Sequence, residues 1–219
     1  MVPVTSKLCS PLQHSMTESA RQLQQRAAVY RLLADLWGRE LSLTSVETLQ
    51  RPQIRKIWLA AGGADPDCLS SRLTDLTEDY CRFFIGPVAH LPPLQSVWSQ
   101  GELQSDVVRQ LVEFSRLCDY KSKWPELLPD HLANELLLMA VLLEKATLES
   151  DPMRADLAEH LAATFLEQHL NWPQRFFERI ESLDSGGFYG SLATLTRSFL
   201  DTETRMYPRI DQSSEFVDK

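Results

Sequence analysis

The sequence is poor in the features that mark secreted, membrane-spanning and nucleic-acid-binding proteins. It has only four cysteines in 219 residues and no Cys-x-x-Cys pair, which fits a reducing cytoplasm better than a disulfide-stapled secreted fold. Its longest apolar run, residues 136–143, is far short of the ~20 residues that cross a bilayer. Basic residues number 22 against 30 acidic ones, and the formal charge of -8 argues against a phosphate-binding face. We therefore expect a cytoplasmic protein with no stable membrane insertion and no nucleic-acid partner.

Sequence motifs of nucleotide-binding and hydrolytic enzymes are also missing. The two Gly-Gly pairs lack the Gly-Lys-Ser/Thr ending that cradles a nucleotide phosphate, and no Gly-x-Ser-x-Gly nucleophile motif is present. Asp156 and His160 share a helical face, but no second pair of ligands follows at the spacing of a zinc site. The sequence therefore predicts no catalytic residue, no metal site and no cofactor.

Apolar residues spaced three or four apart predict helices along most of the chain. Thr44 and Glu47 have the spacing of a capping box, and Asp151-Pro152 is typical of a helix start. No segment shows convincing period-two alternation, so we predict an all-α fold. The predicted helices cover residues 18–37, 44–61 with a break at Pro52, 69–84, 103–120, 130–148, 151–170, 172–183 and 188–206.

The composition does not shift sharply enough along the chain to divide it, so we expect one domain. This domain is a single-domain helical bundle over residues 18–206, with a Pro-rich loop between two of its helices. Residues 1–17 are polar and interrupted by Pro3 and Pro11, which is unlike a secretory signal and predicts a disordered N-terminal tail. Residues 207–219 form a predicted C-terminal tail.

The least generic stretch joins the end of a predicted helix to a stiff loop. Residues 78–87 read EDYCRFFIGP, and residues 92–98 read PPLQSVW. Pro87 cannot continue the helix, and Pro92-Pro93 holds the backbone near polyproline II geometry. A rigid apolar loop beside a helix end favours a binding site, because little entropy is lost when a partner docks. The alternative is that the aromatic residues of this stretch are core residues flanking a tight turn.

A second segment, residues 128–136, opens the most apolar predicted helix and reads LPDHLANEL. Asp130 is the expected N-cap, since a carboxylate there accepts a free backbone N–H. His131 is expected to hydrogen-bond across to the Pro-Pro loop. A helical metal-dependent hydrolase centred on His131 remains an alternative.

Acidic residues accompany both segments, and a carboxylate beside an apolar groove suits a cationic peptide, because Arg binds carboxylates in bidentate fashion. The acidic cluster comprises Glu78, Asp79, Glu126, Asp130 and Glu135.

Taken in order, the Tyr-x-x-Phe-Phe-x-Gly-Pro run, the Pro-Pro-x-x-Ser-Val-Trp run and the Pro-Asp-His-Leu helix start resemble the TorD/DmsD family over about residues 20–205. Weaker similarity lies in residues 169–172 and 188–193. At Leu94 the sequence departs from the aromatic residue that family members often carry. The family consists of cytoplasmic chaperones for molybdoenzymes that are exported by the twin-arginine route.

The resemblance implies a non-enzymatic chaperone that binds the twin-arginine signal peptide of a molybdoenzyme precursor and assists cofactor insertion before export. The Asp130-His131 pair would contribute to recognition of this peptide. The peptide is expected to lie in a groove with negative charge at its rim, bordered by residues 80–87, 92–98 and 130–135. The expected peptide-binding residues are Tyr80, Phe83, Phe84, Gly86, Pro87, Pro92, Pro93, Leu94, Ser96, Trp98, Asp130, His131 and Glu135.

Three questions about partners stay open at this point. The protein could instead be an adaptor that binds only the mature enzyme. A homodimer formed by exchange of helical segments is also conceivable, with a hinge at residues 121–129 or 184–187. The sequence does not choose among reductases for trimethylamine N-oxide, dimethyl sulfoxide and related substrates as the client.

Overall fold

The computed structural model describes residues 11–87, 90–103, 106–149 and 151–207, and within these ranges it contains helices and no strand. The predicted all-α fold is confirmed. A 3-10 turn at Ser70–Arg72 links α4 to α5, and a π-helical turn at Cys81–Ile85 follows α5. The helices are α1 (Pro11–Trp37), α2 (Leu43–Gln50), α3 (Pro52–Ala60), α4 (Pro66–Leu69), α5 (Leu73–Tyr80), α6 (Gln95–Gln100), α7 (Asp106–Leu117), α8 (Leu132–Leu148), α9 (Pro152–His169), α10 (Gln174–Leu183) and α11 (Phe188–Met206).

Helix α8 is the central element of the bundle. It packs against α1 on one side and against α9 on another, and α10 packs against α11. Its residues from Leu132 to Ala140 are all buried, as the lack of a polar face in the sequence predicts for a surrounded helix. None of the helices in the described ranges combines the length and the mean hydropathy needed to cross a bilayer.

Helix boundaries at Pro52, Asp151 and Gly86 lie where proline, capping and glycine signals in the sequence predict them. Helix α2 ends at Gln50 and α3 begins at Pro52, so Pro52 splits the two helices. The Asp151 side chain accepts a hydrogen bond from Met153 N (3.1 Å) and caps α9. The π-helical turn stops before Gly86, at the predicted Gly-Pro boundary.

Several helix predictions differ from the structure, and the unpredicted helix α6 occupies part of the predicted Pro-rich loop. Helix α1 begins at Pro11 and not at residue 18, so the predicted tail of residues 1–17 overlaps its first turns, while residues 1–10 lie outside the described ranges. The cap of α2 is Ser42, whose Oγ accepts from Ser45 N (3.2 Å), and the predicted cap at Thr44 is wrong. The single helix predicted over residues 69–84 is divided, and no Gly or Pro within it marks the breaks, so periodicity alone missed them.

An aromatic cluster ties the first helix to the last two. The Trp37 ring lies 5.9 Å from Phe84, 5.3 Å from Phe176 and 5.8 Å from Phe177, measured between ring centroids. The Trp37 indole N–H donates to Thr196 Oγ1 of α11 (2.9 Å), so the ring is held at its polar end as well. These contacts join α1, the π-helical turn, α10 and α11 in one core.

A buried ion pair links α1 to α11. Arg26 donates to Glu203 through Nε (2.9 Å) and Nη2 (2.7 Å), and the Tyr30 hydroxyl donates to the same carboxylate (3.1 Å). The Arg26 guanidinium also lies over the ring of Tyr207 at 4.9 Å. Tyr207, which the sequence assigns to the C-terminal tail, therefore packs against the bundle.

Removing Arg26 is expected to destabilise the fold strongly, because the Glu203 carboxylate would stay buried without its cation. We expect Arg26→Met to lower the free energy of unfolding by about 3 kcal/mol, measured by urea denaturation. The matched control is Arg31→Met in the exposed pair with Glu144, where a loss below about 1 kcal/mol is expected. Equal losses in the two variants would show that burial of Glu203 does not control this interaction.

Candidate functional site

The two unusual segments of the sequence lie side by side and are joined through their backbones. Gln95 N donates to Asp130 O (3.0 Å), and Leu132 N donates to Pro93 O (2.9 Å). Leu94 and His131 form an isolated antiparallel bridge between these bonds. We call this unit, residues 93–96 and 130–132, the junction. The segments thus come together as the sequence analysis expects, although 34 residues separate Ser96 from Asp130.

Asp130 serves the junction and not the helix that it precedes. Its Oδ2 accepts hydrogen bonds from Ser96 N (3.0 Å) and Ser96 Oγ (2.5 Å), which satisfies a free N–H in the first turn of α6. The N-cap of α8 is His131, whose Nδ1 accepts from Ala133 N (3.2 Å). The prediction that Asp130 caps α8 is therefore wrong, because Ser96 offers it two donors from the facing segment.

Two carboxyl groups near the junction are fully buried. Asp130 and Glu135 are both 0% exposed, so they do not form the acidic rim that the sequence analysis expects. Glu135 Oε2 accepts from Trp172 Nε1 (2.7 Å), whereas Glu135 Oε1 and Asp130 Oδ1 have no hydrogen-bond partner within the described residues. Burial raises the pKa of Glu135 well above its usual range, and the nearby charge of Asp130 raises this pKa further.

The remaining acidic residues of the predicted cluster lie nearer the surface. Glu78 and Glu126 are exposed, and Asp79 is half-buried. Asp79 pairs with the exposed Arg82 at 2.6 Å. Glu78 and Glu126 are therefore the carboxylates of this cluster that are best exposed to a peptide at the surface.

Gln95 links the junction to His169 at the end of α9. His169 Nδ1 lies 3.0 Å from Gln95 Oε1, and Gln95 Nε2 donates to Gln168 O (2.9 Å). Burial lowers the pKa of both His131 and His169 to about 4. The sequence motifs do not predict Gln95 and Trp172 as partners in this region, and the weak family similarity of residues 169–172 is the one signal for it.

The aromatic residues before the loop belong to the core. Tyr80, Phe83 and Phe84 are buried, with Phe84 5.1 Å from the Tyr189 ring and 5.2 Å from the Tyr80 ring. Burial raises the pKa of Tyr80 to about 12. These three aromatic side chains are therefore core residues, as the alternative interpretation of the sequence expects, and they do not reach the surface.

The accessible part of the candidate site lies at the loop itself. Ile85 is 63% exposed, Pro87 is exposed, and Gly86 and Pro92 are half-buried. Leu91 N donates to Phe83 O (2.6 Å), which brings the two ends of the loop together. Half-buried Trp98 donates its indole N–H to Pro92 O (2.8 Å) and so fixes the Pro-Pro stretch.

A hollow adjoins the junction between α7, the linker before α8 and the first turns of α8. Its volume is about 360 Å³, and its lining includes Val112, Glu126, Leu128, Pro129 and Leu138. The motifs predict a groove between the Pro-rich loop and the start of α8. In the structure the backbones of these two segments pair directly, and the hollow lies on the α7 side of the residues that precede α8.

No group of three His, Cys, Asp or Glu side chains in the described ranges is arranged to hold a metal ion. His131, on which the hydrolase alternative is centred, is buried, and its Nδ1 accepts a hydrogen bond from Ala133 N as the cap of α8.

Comparison with known proteins places these features in a family. The family model described as nitrate reductase delta subunit matches residues 58–178, which include the loop, the junction and α8. This chain belongs to that family. The match covers more than half of the sequence and contains the motifs that carry the TorD/DmsD resemblance, so this resemblance is confirmed.

Named relatives of the family are similar over most of this chain. Chaperone protein YcdY of Escherichia coli is 30% identical over 147 residues, covering 67% of this chain and 71% of that protein. Chaperone protein TorD of Shewanella pealeana is 26% identical over 207 residues, covering 82% and 88%. Chaperone protein TorD of Shewanella piezotolerans is 24% identical, covering 82% and 91%. These relatives are named as chaperones and not as enzymes, in agreement with the prediction of a non-enzymatic protein.

The buried His131 is expected to make stability depend on pH. Its pKa is about 4 in the folded chain and near 6.5 when unfolded, so the unfolded chain binds the proton first as the pH falls. The stability contributed by neutral His131 is complete above pH 6.5 and is lost between 6.5 and about 4. His131→Asn keeps a capping acceptor and removes this titration.

As the pH is lowered through this window, we expect the free energy of unfolding to fall less steeply in His131→Asn than in the wild type. The two slopes should differ by at most about 1.4 kcal/mol per pH unit. Urea denaturation between pH 7 and 4 measures the difference, and effects of Glu135 cancel because both chains carry it. Exposed His160 supplies the control His160→Asn, for which an unchanged slope is expected. Parallel curves for wild type and His131→Asn would contradict the burial argument.

Proposed function

We propose that this protein is a chaperone that binds the twin-arginine signal peptide of a molybdoenzyme precursor and assists its maturation before export. The observation that carries the proposal is the junction, which holds the Pro-Pro loop and the Pro-Asp-His helix start in one unit. Membership of a family whose named members include chaperones supports the same function.

The apolar part of the peptide needs accessible apolar surface, and two neighbouring parts of the site offer it. Ile85 and Pro87 are exposed, and they lie between Phe83 and Leu91, whose backbones are joined by a hydrogen bond. Leu128 and Pro129 line the hollow beside the junction. Burial of apolar area would supply most of the affinity, at ~25 cal/mol per Å² before ordering costs are subtracted.

The paired arginines of the peptide need carboxylates at the surface. Glu126 lines the hollow and is exposed, and exposed Glu78 precedes the loop in the chain. These contacts would determine the position of the peptide in the site and the choice between peptides more than the affinity, since exposed charge pairs contribute little free energy. Asp130, His131, Ser96 and Glu135 would act from below the surface by holding the loop and the wall of the hollow.

Reversible binding suits a chaperone that must release its client. A dissociation constant near the micromolar range, about -8 kcal/mol, would be sufficient. The adaptor function remains the competing candidate, and binding of a signal-deleted enzyme without binding of the isolated peptide would favour it.

The direct test is isothermal titration calorimetry with a synthetic twin-arginine signal peptide from a molybdoenzyme of the native host. We expect binding that weakens when the two arginines are replaced by lysines and when the apolar segment is made polar. Ile85→Ser is expected to weaken binding by roughly tenfold through lost apolar contact.

The matched protein control is Leu148→Ser, which removes a 79% exposed leucine at the far end of α8. This variant is expected to bind like the wild type. The proposal fails if no such peptide binds, or if replacing the paired arginines and the apolar segment of the peptide leaves binding unchanged. Equal behaviour of Ile85→Ser and Leu148→Ser would remove the loop from the site.

A further inference from the structure

A second apolar groove lies between α1 and the α2–α3 pair, outside the junction and the hollow. Its volume is about 640 Å³. Val29, Leu32 and Ile54 contribute half-buried side chains to its lining, and Ile57 is 56% exposed. Its lining residues on α1 extend from Gln25 to Leu36, which corresponds to about 17 Å along the helix axis at 1.5 Å per residue, and Arg39 follows just past the end of the helix. The groove is therefore long enough to accept about three turns of a helix.

The charges along this groove are cationic, although the whole chain is acidic. Asp35, Arg39 and Arg51 are the charged residues in its lining. Lys123 pairs with Asp35 at 2.6 Å and neutralises it. Arg39 and Arg51 are exposed and form no salt bridge within the described part of the chain. Two uncompensated arginines thus border the apolar floor of a protein whose formal charge is -8.

We propose that this groove binds an amphipathic helix of a partner protein whose apolar face is flanked by Asp and Glu. An apolar groove between helices accepts the i, i+3, i+4 and i+7 side chains of such a helix. Carboxylates beside that face would meet the guanidinium groups of Arg39 and Arg51 in bidentate fashion.

This partner differs in charge from a twin-arginine peptide, because a cationic segment would be repelled by the same two arginines. The groove is therefore a second interaction surface, and its occupation does not depend on the signal-peptide site.

The test uses a synthetic amphipathic helix of about three turns, with leucine along one face and glutamate on both flanks, and a matched helix with lysine on the flanks. Fluorescence anisotropy measures binding to the full chain. We expect the glutamate helix to bind at least about fivefold more tightly than the lysine helix, with a difference that shrinks as salt is added. The Arg39→Glu/Arg51→Glu double variant should reverse this preference. The Ile57→Ser variant should bind both helices more weakly than the wild type does.

Two control variants separate a specific groove from general charge attraction. Arg72→Glu reverses an exposed arginine in the turn between α4 and α5, and Leu148→Ser removes an exposed leucine elsewhere; both should leave binding unchanged. Circular dichroism confirms that each variant is folded.

The proposal is overturned if neither helix binds, if the two bind alike, or if the double variant keeps the preference of the wild type. The twin-arginine peptide supplies a separate readout, and its affinity is expected to stay unchanged in Ile57→Ser. A loss there would assign the groove to the signal peptide instead.

Discussion

The hydrogen-bonded pairing between the Pro-rich loop and the residues before α8 is the constraint on which the candidate site depends. A loop of this kind has few backbone partners of its own, since its prolines donate no hydrogen bond and α6 begins with unsatisfied N–H groups. Asp130 and the backbone of residues 130–132 supply those partners. Because these residues directly precede the most buried helix of the bundle, the loop is held against the core.

The same constraint explains why polar residues are buried here. Asp130 and Glu135 are both fully buried. Ser96 donates two hydrogen bonds to the Asp130 carboxylate, and the Trp172 indole donates one to the Glu135 carboxylate. His169 reaches the same unit through Gln95. A buried polar network of this kind specifies one arrangement of its neighbours, since a displaced partner would leave a desolvated group unsatisfied. The buried residues of the family motif therefore hold the Pro-rich loop in place, while Ile85 and Pro87 are exposed.

Two apolar depressions in the described part of the chain differ in charge, and under the two proposals above this difference would suit each to a distinct type of ligand. The hollow beside the junction has Glu126 in its lining, whereas the α1–α3 groove is bordered by Arg39 and Arg51. A chaperone with both surfaces could hold a cationic signal peptide and an acidic helix of its client at separate positions. Charge would then orient the client, while apolar contact would supply most of the affinity in each site.

The sequence by itself determined the all-α fold, the identity of α8 as the core helix and the helix boundaries at Pro52, Gly86 and Asp151, because periodicity, proline and capping act over a few residues. It also indicated that the two motif segments belong together. Only the tertiary structure decided that Asp130 bonds to Ser96 and not to its own helix, that α6 forms after the two prolines, and that Glu135 faces Trp172. Each of these choices depends on a donor or acceptor far away in the chain, and local spacing carries no information about which distant group will arrive.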